Sequence, residues 1–172
     1  MTPAVDLKKE EIVDLLQRCW MTHDGMWFFH CLKEFGIEKA NRLNKAAIKS
    51  LAPMEIGRIK EALKFGKEKI ENFQELRDFL MPVSELFMPS FMNVSISFPE
   101  ENVLNWEFVP DNCFAFKGVK RIGVIEQYEC GVIYRLSCWF DNLGIQWHVT
   151  PEIKDCLMLK DGTCAGRFTF VF

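Results

Sequence analysis

The chain has 172 residues, 49 % of them apolar and 26 % charged. This globular composition excludes a disordered tail, a collagenous repeat or a low-complexity linker, and predicts one core burying about 70 % of the unfolded surface. The 21 basic and 24 acidic residues leave a net charge of −3, the first half balanced and the second slightly acidic, so the positive field that binds a nucleic-acid backbone is missing.

Apolar runs such as residues 26–29 and 113–116 fall far short of the roughly 20 residues that cross a bilayer. Asp6, Glu10, Glu11 and Asp14 interrupt any leader-like stretch. A cytoplasmic protein with no nucleic-acid and no membrane partner is expected.

Asp6 predicts the cap of a first helix running to about Trp20. Ile12, Leu15, Leu16 and Cys19 form its inward face, and Glu10 and Glu11 are placed early for the helix dipole. Thr22, His23, Asp24 and Gly25 then read as a polar break. A second helix carries the stripe Phe28, Cys31, Leu32 and Phe35 to a stop at Gly36. A third helix follows over 37–50, and a fourth starts at Pro53 and stops at Gly66 with Ile56, Ile59 and Leu63 inward. A fifth covers about 68–80. Met81-Pro82 and Met88-Pro89 close the helical half, because proline removes a backbone donor and biases its predecessor toward extended geometry.

Beyond Pro89 the apolar period changes to two. Met92, Val94, Ile96 and Phe98 alternate with polar residues, a turn follows at 99–102, and Val103, Trp106 and Phe108 continue as the second strand of an antiparallel hairpin. A long helix is predicted over 119–143, since Tyr128, Val132, Leu136, Trp139, Phe140 and Leu143 share a face and Gly144 supplies a stop. Ile145, Trp147 and Val149 form a strand. Two more strands, 156–159 and 165–172, flank a turn at 160–163. The expected architecture is α+β, an N-terminal helical layer packed on a mostly antiparallel sheet with one long helix in the C-terminal half. It forms a single domain, 1–172, with a helical subregion 1–88 and a sheet-plus-helix subregion 89–172.

No phosphate-binding loop, dinucleotide fingerprint, nucleophile elbow or zinc-protease motif is present. The densest chemistry lies in residues 20–31. If Asp24 opens a helix, Trp27, His30 and Glu34 share a stripe beside the apolar one and line a pocket; in the plainer reading Asp24 caps, Trp27 packs and His30 is a boundary residue.

Seven cysteines are an odd number, so reduced thiols are the default and core packing explains most of them. Cys113, Cys130, Cys156 and Cys164 form an alternative zinc set, though they lack the closely spaced pairs of most structural zinc sites. Of these, Cys113 and Cys164 have a route to a lowered pKa. His148, facing opposite to Trp147, reads as a surface or edge-strand residue.

The run Trp20, Thr22, Asp24, Gly25, Trp27 and Phe28, continued by Phe35, Gly36, Ala40 and Asn44, then by Arg58, Lys60 and Leu63, and by Cys113 and Cys130, resembles an uncharacterised family of prokaryotic cytosolic proteins. That family is similar to L-2-amino-thiazoline-4-carboxylic acid hydrolase-like proteins. The C-terminal half resembles the vinyl-reductase-type small-molecule-binding domains of bacterial regulators and their relatives in vesicle-tethering complexes. In those relatives a glycine shortly before a cysteine and an alternating aromatic strand close the domain, as Gly162, Cys164, Phe168 and Phe170 do here. The resemblance implies that fold and a pocket. The chain departs from it where relatives carry a Cys-Pro-Pro-Asp segment: it reads Asp155, Cys156 and Asp161, with Ala165 and Gly166 added after Cys164. No metal or thiol role is carried over from that segment.

The expected function is binding of a small-molecule ligand between helices and sheet, motivated by 16 Phe and 5 Trp, with Trp27, His30, Trp106, Cys113, Cys130 and Trp139 as lining residues. One alternative is hydrolysis of a small cyclic amide or thiazoline-like substrate, with Cys113 as nucleophile and His30 or Asp24 carrying the proton. The other is a cysteine-based metal or redox site. No cofactor is required by the first reading, and a homodimer is compatible with all three.

Overall fold

A computed structural model describes residues 6–88 and 90–172. Helix α1 (Lys9–Phe35) leads at Gly36 into α2 (Ile37–Ala62), and α3 (Phe73–Phe87) precedes the hairpin β1 (Val94–Ser97) and β2 (Val103–Phe108). Then come α4 (Phe114–Arg121), α5 (Gly131–Asn142), β3 (Gln146–Thr150), α6 (Leu157–Asp161) and β4 (Cys164–Val171). The class is α+β, as expected. The strands form one antiparallel sheet in the order β1-β2-β4-β3.

Five predicted helices merge into three. The 22–25 break does not occur and α1 passes through it, with Lys8 rather than Asp6 preceding the first turn and its N–H bonded to Glu11 Oε2 at 2.8 Å. A single glycine costs about 1 kcal/mol in a helix, less than abandoning the ladder on both sides. Pro53 and Pro82 lie inside α2 and α3. Each removes one hydrogen bond, to the carbonyl four residues back. Those carbonyls belong to Lys49 and Asp78, both exposed, so water replaces the lost donor. Pro89 lies outside the described residues.

The predicted 119–143 helix is instead two helices. Gly123, at φ 78°, ends α4 in the left-handed region, a 3-10 turn spans Ile125–Gln127, and α5 starts only at Gly131. The buried Asn41 of α2 holds this break open: its Nδ2 donates to the Gln127 carbonyl at 2.7 Å and its Oδ1 accepts from the Glu129 N–H at 3.3 Å. A side chain distant in sequence thus takes the backbone groups that a continuous helix would pair internally. Likewise, residues 157–161 form α6 rather than a strand, closed by Gly162 at φ 71°.

Side-chain alternation gives the sheet one buried face, built from Leu104, Trp106, Phe108, Phe168 and Phe170, while Glu107, His148, Arg167 and Thr169 are exposed. His148 is therefore an exposed residue of an edge strand, as its sequence setting implies. Helix α3 buries Phe73, Leu76, Phe79, Leu80 and Val83 at three-to-four spacing, and Asn72 caps it by accepting from the Glu75 N–H at 3.0 Å. From α5, Phe140 meets Phe168 and Phe170 edge-on, each at 4.9 Å between centroids. One cluster of buried side chains runs from Ala52 and Ile56 of α2 through α3 and α5 to the sheet.

Helix α1 is different, with no buried residue in its 27. Ile12, Leu15, Leu16 and Cys19, expected to face inward, are exposed. The helix rests on α2 and reaches the body through single side chains, such as Phe28 against Tyr128 at 5.7 Å and Gln17 Nε2 donating to the Leu86 carbonyl. Its inner face covers a hollow rather than a packed core, while Ile12, Leu15, Leu16 and Cys19 border neither and stay open to water.

Candidate functional site

Between α1, α3, α4, α5 and the buried face of the sheet lies a cavity of about 630 Å³. Ile96, Leu104, Trp106 and Phe108 form its sheet side, Leu80, Val83 and Phe87 its α3 side, and Leu136 and Trp139 its α5 side. Arg18, Met21, Gly25 and Phe28 of α1, spaced three to four residues apart, close it. Gly25 and Gly118 both border the space, and a β-carbon at either would meet nothing within 4 Å. Small residues thus keep open what larger side chains would fill.

Few charged groups reach this apolar wall. Arg135 is paired with Glu55, a residue of α2 only 6 % exposed, through Nε to Oε2 at 3.1 Å and through its terminal nitrogen to Oε1. The same carboxylate accepts the Trp139 indole N–H at 2.8 Å. Across the mouth, the Arg135 guanidinium stacks over Trp20 at 4.7 Å. Arg18 stacks over Phe91 at 4.1 Å while its Nε donates to Asp14 at 2.7 Å. Arg121, in the last turn of α4, makes no ion pair or side-chain hydrogen bond among the described residues. Asp24 is the carboxylate of the wall. The Tyr128 hydroxyl accepts the Gly131 N–H at 3.1 Å, and burial holds its pKa well above the usual tyrosine value.

A second, much smaller space of about 10 Å³, at the limit of what can hold one water molecule, shares Phe108, Ala115, Tyr128, Val132 and Ile133 with the first. Cys113, Cys130, Cys156 and Cys164 all line it. Three of them directly precede helices, Cys113 before α4, Cys130 before α5 and Cys156 before α6, and Cys164 opens β4.

Burial raises the Cys113 pKa, and it pushes Cys130 up to about 11 and Cys164 up to about 12. Helix N–H groups offset this only in part, those of Phe116 and Ala115 at Cys113 and those of Ile133 and Val132 at Cys130. Cys130 is half-buried as a residue, but its side chain borders the chamber and is desolvated there. The buried Trp106 indole N–H has no hydrogen-bond partner among the described residues, and its nearness to the Cys164 thiol acts against the upward shift there. Among the described residues no three His, Cys, Asp or Glu side chains are set to hold a metal ion.

The expected hollow lined with rings and thiols is thus two spaces. Trp106 and Trp139 border the large one together with Asp24, while Cys113 and Cys130 border the small one. Trp27 and His30 are exposed on α1, Trp27 at 63 %, and neither borders either space. Asp24 sits mid-helix and caps nothing. The proposed proton carrier His30 and nucleophile Cys113 are therefore not in one site with it. Arg18, Arg121, Arg135 and Glu55 were not anticipated. Only Arg135 carried a signal, sharing the apolar stripe of Leu136 and Trp139 as its single cation.

Residues 5–85 match a family described as a family of unknown function (DUF6125). The match takes in α1, α2 and most of α3, and so only part of the cavity's helical lining, since α4 and α5 lie beyond it. No curated protein matches the chain. Among the described residues no helix is long and apolar enough to cross a membrane.

Proposed function

We propose that the chain binds a small molecule in the cavity between its helices and its sheet. The observation that carries this reading is the 630 Å³ space itself, whose size and mainly apolar wall with a few polar groups are those of ordinary ligand sites. Hydrolysis is supported less well. Of Asp24, His30 and Cys113, Asp24 alone borders the cavity, and the Cys113 thiol is kept protonated where a nucleophile needs the thiolate.

Titration with the neutral dye N-phenyl-1-naphthylamine tests the binding reading. Saturable fluorescence enhancement at one site per chain is expected, weakened by Leu136→Trp, whose larger ring takes up part of the space, with the circular dichroism unchanged. Absence of saturable enhancement, or indifference to Leu136→Trp, ends this reading.

A thiol-held zinc is a second reading, favoured by one observation, the arrival of four cysteines at one chamber. It requires the sulfurs to draw in to about 2.3 Å from the ion. Metal analysis of protein purified without chelator decides it: one zinc per chain, lost in Cys164→Ser, supports the reading, and metal-free protein of unchanged stability removes it.

A further inference from the structure

Two polar side chains of the cavity wall meet at one point with hydrogen-bonding groups to spare. Asn41 of α2 holds the chain on both sides of Tyr128, at the Gln127 carbonyl and at the Glu129 N–H. Asn44 stands three residues further along α2, on the same face, and so beside Tyr128. The meeting point is Gly131, the first residue of α5. A β-carbon there would fall 2.8 Å from Asn44 Nδ2 and 3.3 Å from the Tyr128 hydroxyl oxygen. Asn44, Tyr128 and Gly131 all border the large cavity, as does Ile48, whose Cδ1 is 3.1 Å from the same point. Two donors gathered this closely can be bridged by a single oxygen, about 2.9 Å from each.

The fold leaves both groups with capacity. The Tyr128 hydroxyl accepts the Gly131 N–H but gives its own proton to no acceptor among the described residues, although the residue is only 5 % exposed. A buried donor without a partner costs free energy, which a bound acceptor would offset. Burial also keeps that proton in place across the neutral pH range. The Asn44 amide makes no hydrogen bond among the described residues. Charge on the rest of the wall is balanced: Arg135 is paired with Glu55, Arg18 with Asp14, and Asp24 offsets Arg121.

We propose that the cavity takes an uncharged, largely apolar molecule with one carbonyl oxygen, and that this oxygen accepts hydrogen bonds from the Tyr128 hydroxyl and the Asn44 amide. This rests on the binding reading above and names its ligand class. The apolar wall receives the body of the molecule, and the two donors fix its orientation. A carboxylate in the same place would lose its hydration and meet no cation on either residue.

Displacement of bound N-phenyl-1-naphthylamine by 2-acetylnaphthalene, 2-ethylnaphthalene and 2-naphthoate, with wild type, Tyr128→Phe and Asn44→Ala, tests this. The ketone is expected to bind about tenfold more tightly than the hydrocarbon, the size of two modest neutral hydrogen bonds, and more tightly than the carboxylate. Each substitution removes one of the two bonds and is expected to bring the ratio of ketone to hydrocarbon affinity down to about threefold. A change in the cavity that weakens every ligand, the dye included, cancels in that ratio. Tyr128→Phe also takes the acceptor from the Gly131 N–H, whereas Asn44→Ala places the better helix former in α2 and decides the matter if the first variant does not fold. The carbonyl stretch of the bound, isotope-labelled ketone gives an independent signature, expected below its frequency in hexane for wild type and closer to it in each variant. A hydrocarbon or carboxylate bound as tightly as the ketone in wild type, or a ratio that survives either substitution, overturns the carbonyl site and leaves the binding reading standing. A dye without saturable binding overturns both.

Discussion

The Trp106 indole of β2 lies across Gly166 of β4, its partner in the sheet register. A β-carbon at 166 would fall 2.4 Å from Trp106 Cη2 and 2.6 Å from the Thr150 carbonyl oxygen. Neither neighbour is a flexible chain end. Gly166 thus lets Trp106 lie down as part of the cavity's sheet side, packed at 5.2 Å from Phe168. Gly166→Ala is expected to lose about 1–3 kcal/mol of stability through overpacking. Gly118→Ala, at a helical position with open space, is expected to gain about 0.5–1 kcal/mol. Urea unfolding of the two variants checks this, and equal effects would contradict the packing argument.

Glu55 joins three helices: it lies on α2, pairs with Arg135 and Trp139 of α5, and through Arg135 reaches Trp20 of α1. Removing a buried charge partner strands the other. Glu55→Ala is expected to cost about 2–4 kcal/mol, the lower end because Arg135 keeps 25 % side-chain exposure and some hydration. Glu55→Gln, which retains an acceptor for the indole N–H, is expected to cost distinctly less. Chemical denaturation gives both values, and a Gln variant as damaged as the Ala variant would mean that the carboxylate's charge, rather than its shape or the retained acceptor, carries the interaction.

Local pattern made much of the fold legible and little of the site. The hairpin followed from alternation at 92–108 and the turn between α1 and α2 from Gly36, whereas the helix expected over 68–80 overlaps α3 only in part, because Asn72 caps a later start and Pro82 does not stop it. The breaks were misread because local signals compete with distant ones. Gly25, Pro53 and Pro82 are tolerated inside helices whose orphaned groups face water, whereas the 122–130 interruption depends on Asn41, more than 80 residues away. Trp106 and Trp139 stood out as large rings on buried faces. Arg18 and Arg121 did not, because an arginine at a cavity rim and one on a solvated face have the same sequence surroundings. Cys113, Cys130, Cys156 and Cys164 were grouped as an alternative zinc set, but their meeting at one chamber is a tertiary fact that their spacing does not dictate.

The chamber thiols give a pH dependence whose sign follows from their raised pKa values. An unfolded cysteine loses its proton near pH 8.5. Cys130 in the fold holds it to about 11, Cys164 to about 12, and Cys113 is also raised. Below about pH 8 both states are protonated and these thiols add no slope. Above it the unfolded chain releases protons that the fold retains, so stability falls with rising pH, by up to about 1.4 kcal/mol per pH unit for each thiol. Protein treated with chelator is therefore expected to lose stability between pH 8 and 10, and Cys130→Ala to show a shallower fall. Zinc-held thiolates would reverse the expectation, since the ligands would already be deprotonated in the fold. A flat profile before chelation that steepens after it would favour the metal reading.

Gly25 joins stability to ligand binding. It lies inside α1, where glycine costs about 1 kcal/mol relative to a good helix former, and its missing side chain leaves open space at the cavity. Gly25→Leu is expected to raise the unfolding free energy by about 0.5–1 kcal/mol from helix propensity alone. Its side chain would also occupy part of the cavity volume, so N-phenyl-1-naphthylamine affinity is expected to fall at least threefold. Thermal unfolding and dye titration on the same preparation read the two effects side by side. A variant that is more stable and binds as wild type would move the dye's site away from α1, whereas opposite changes in the two measurements would identify Gly25 as a residue whose cost to the helix keeps the cavity open.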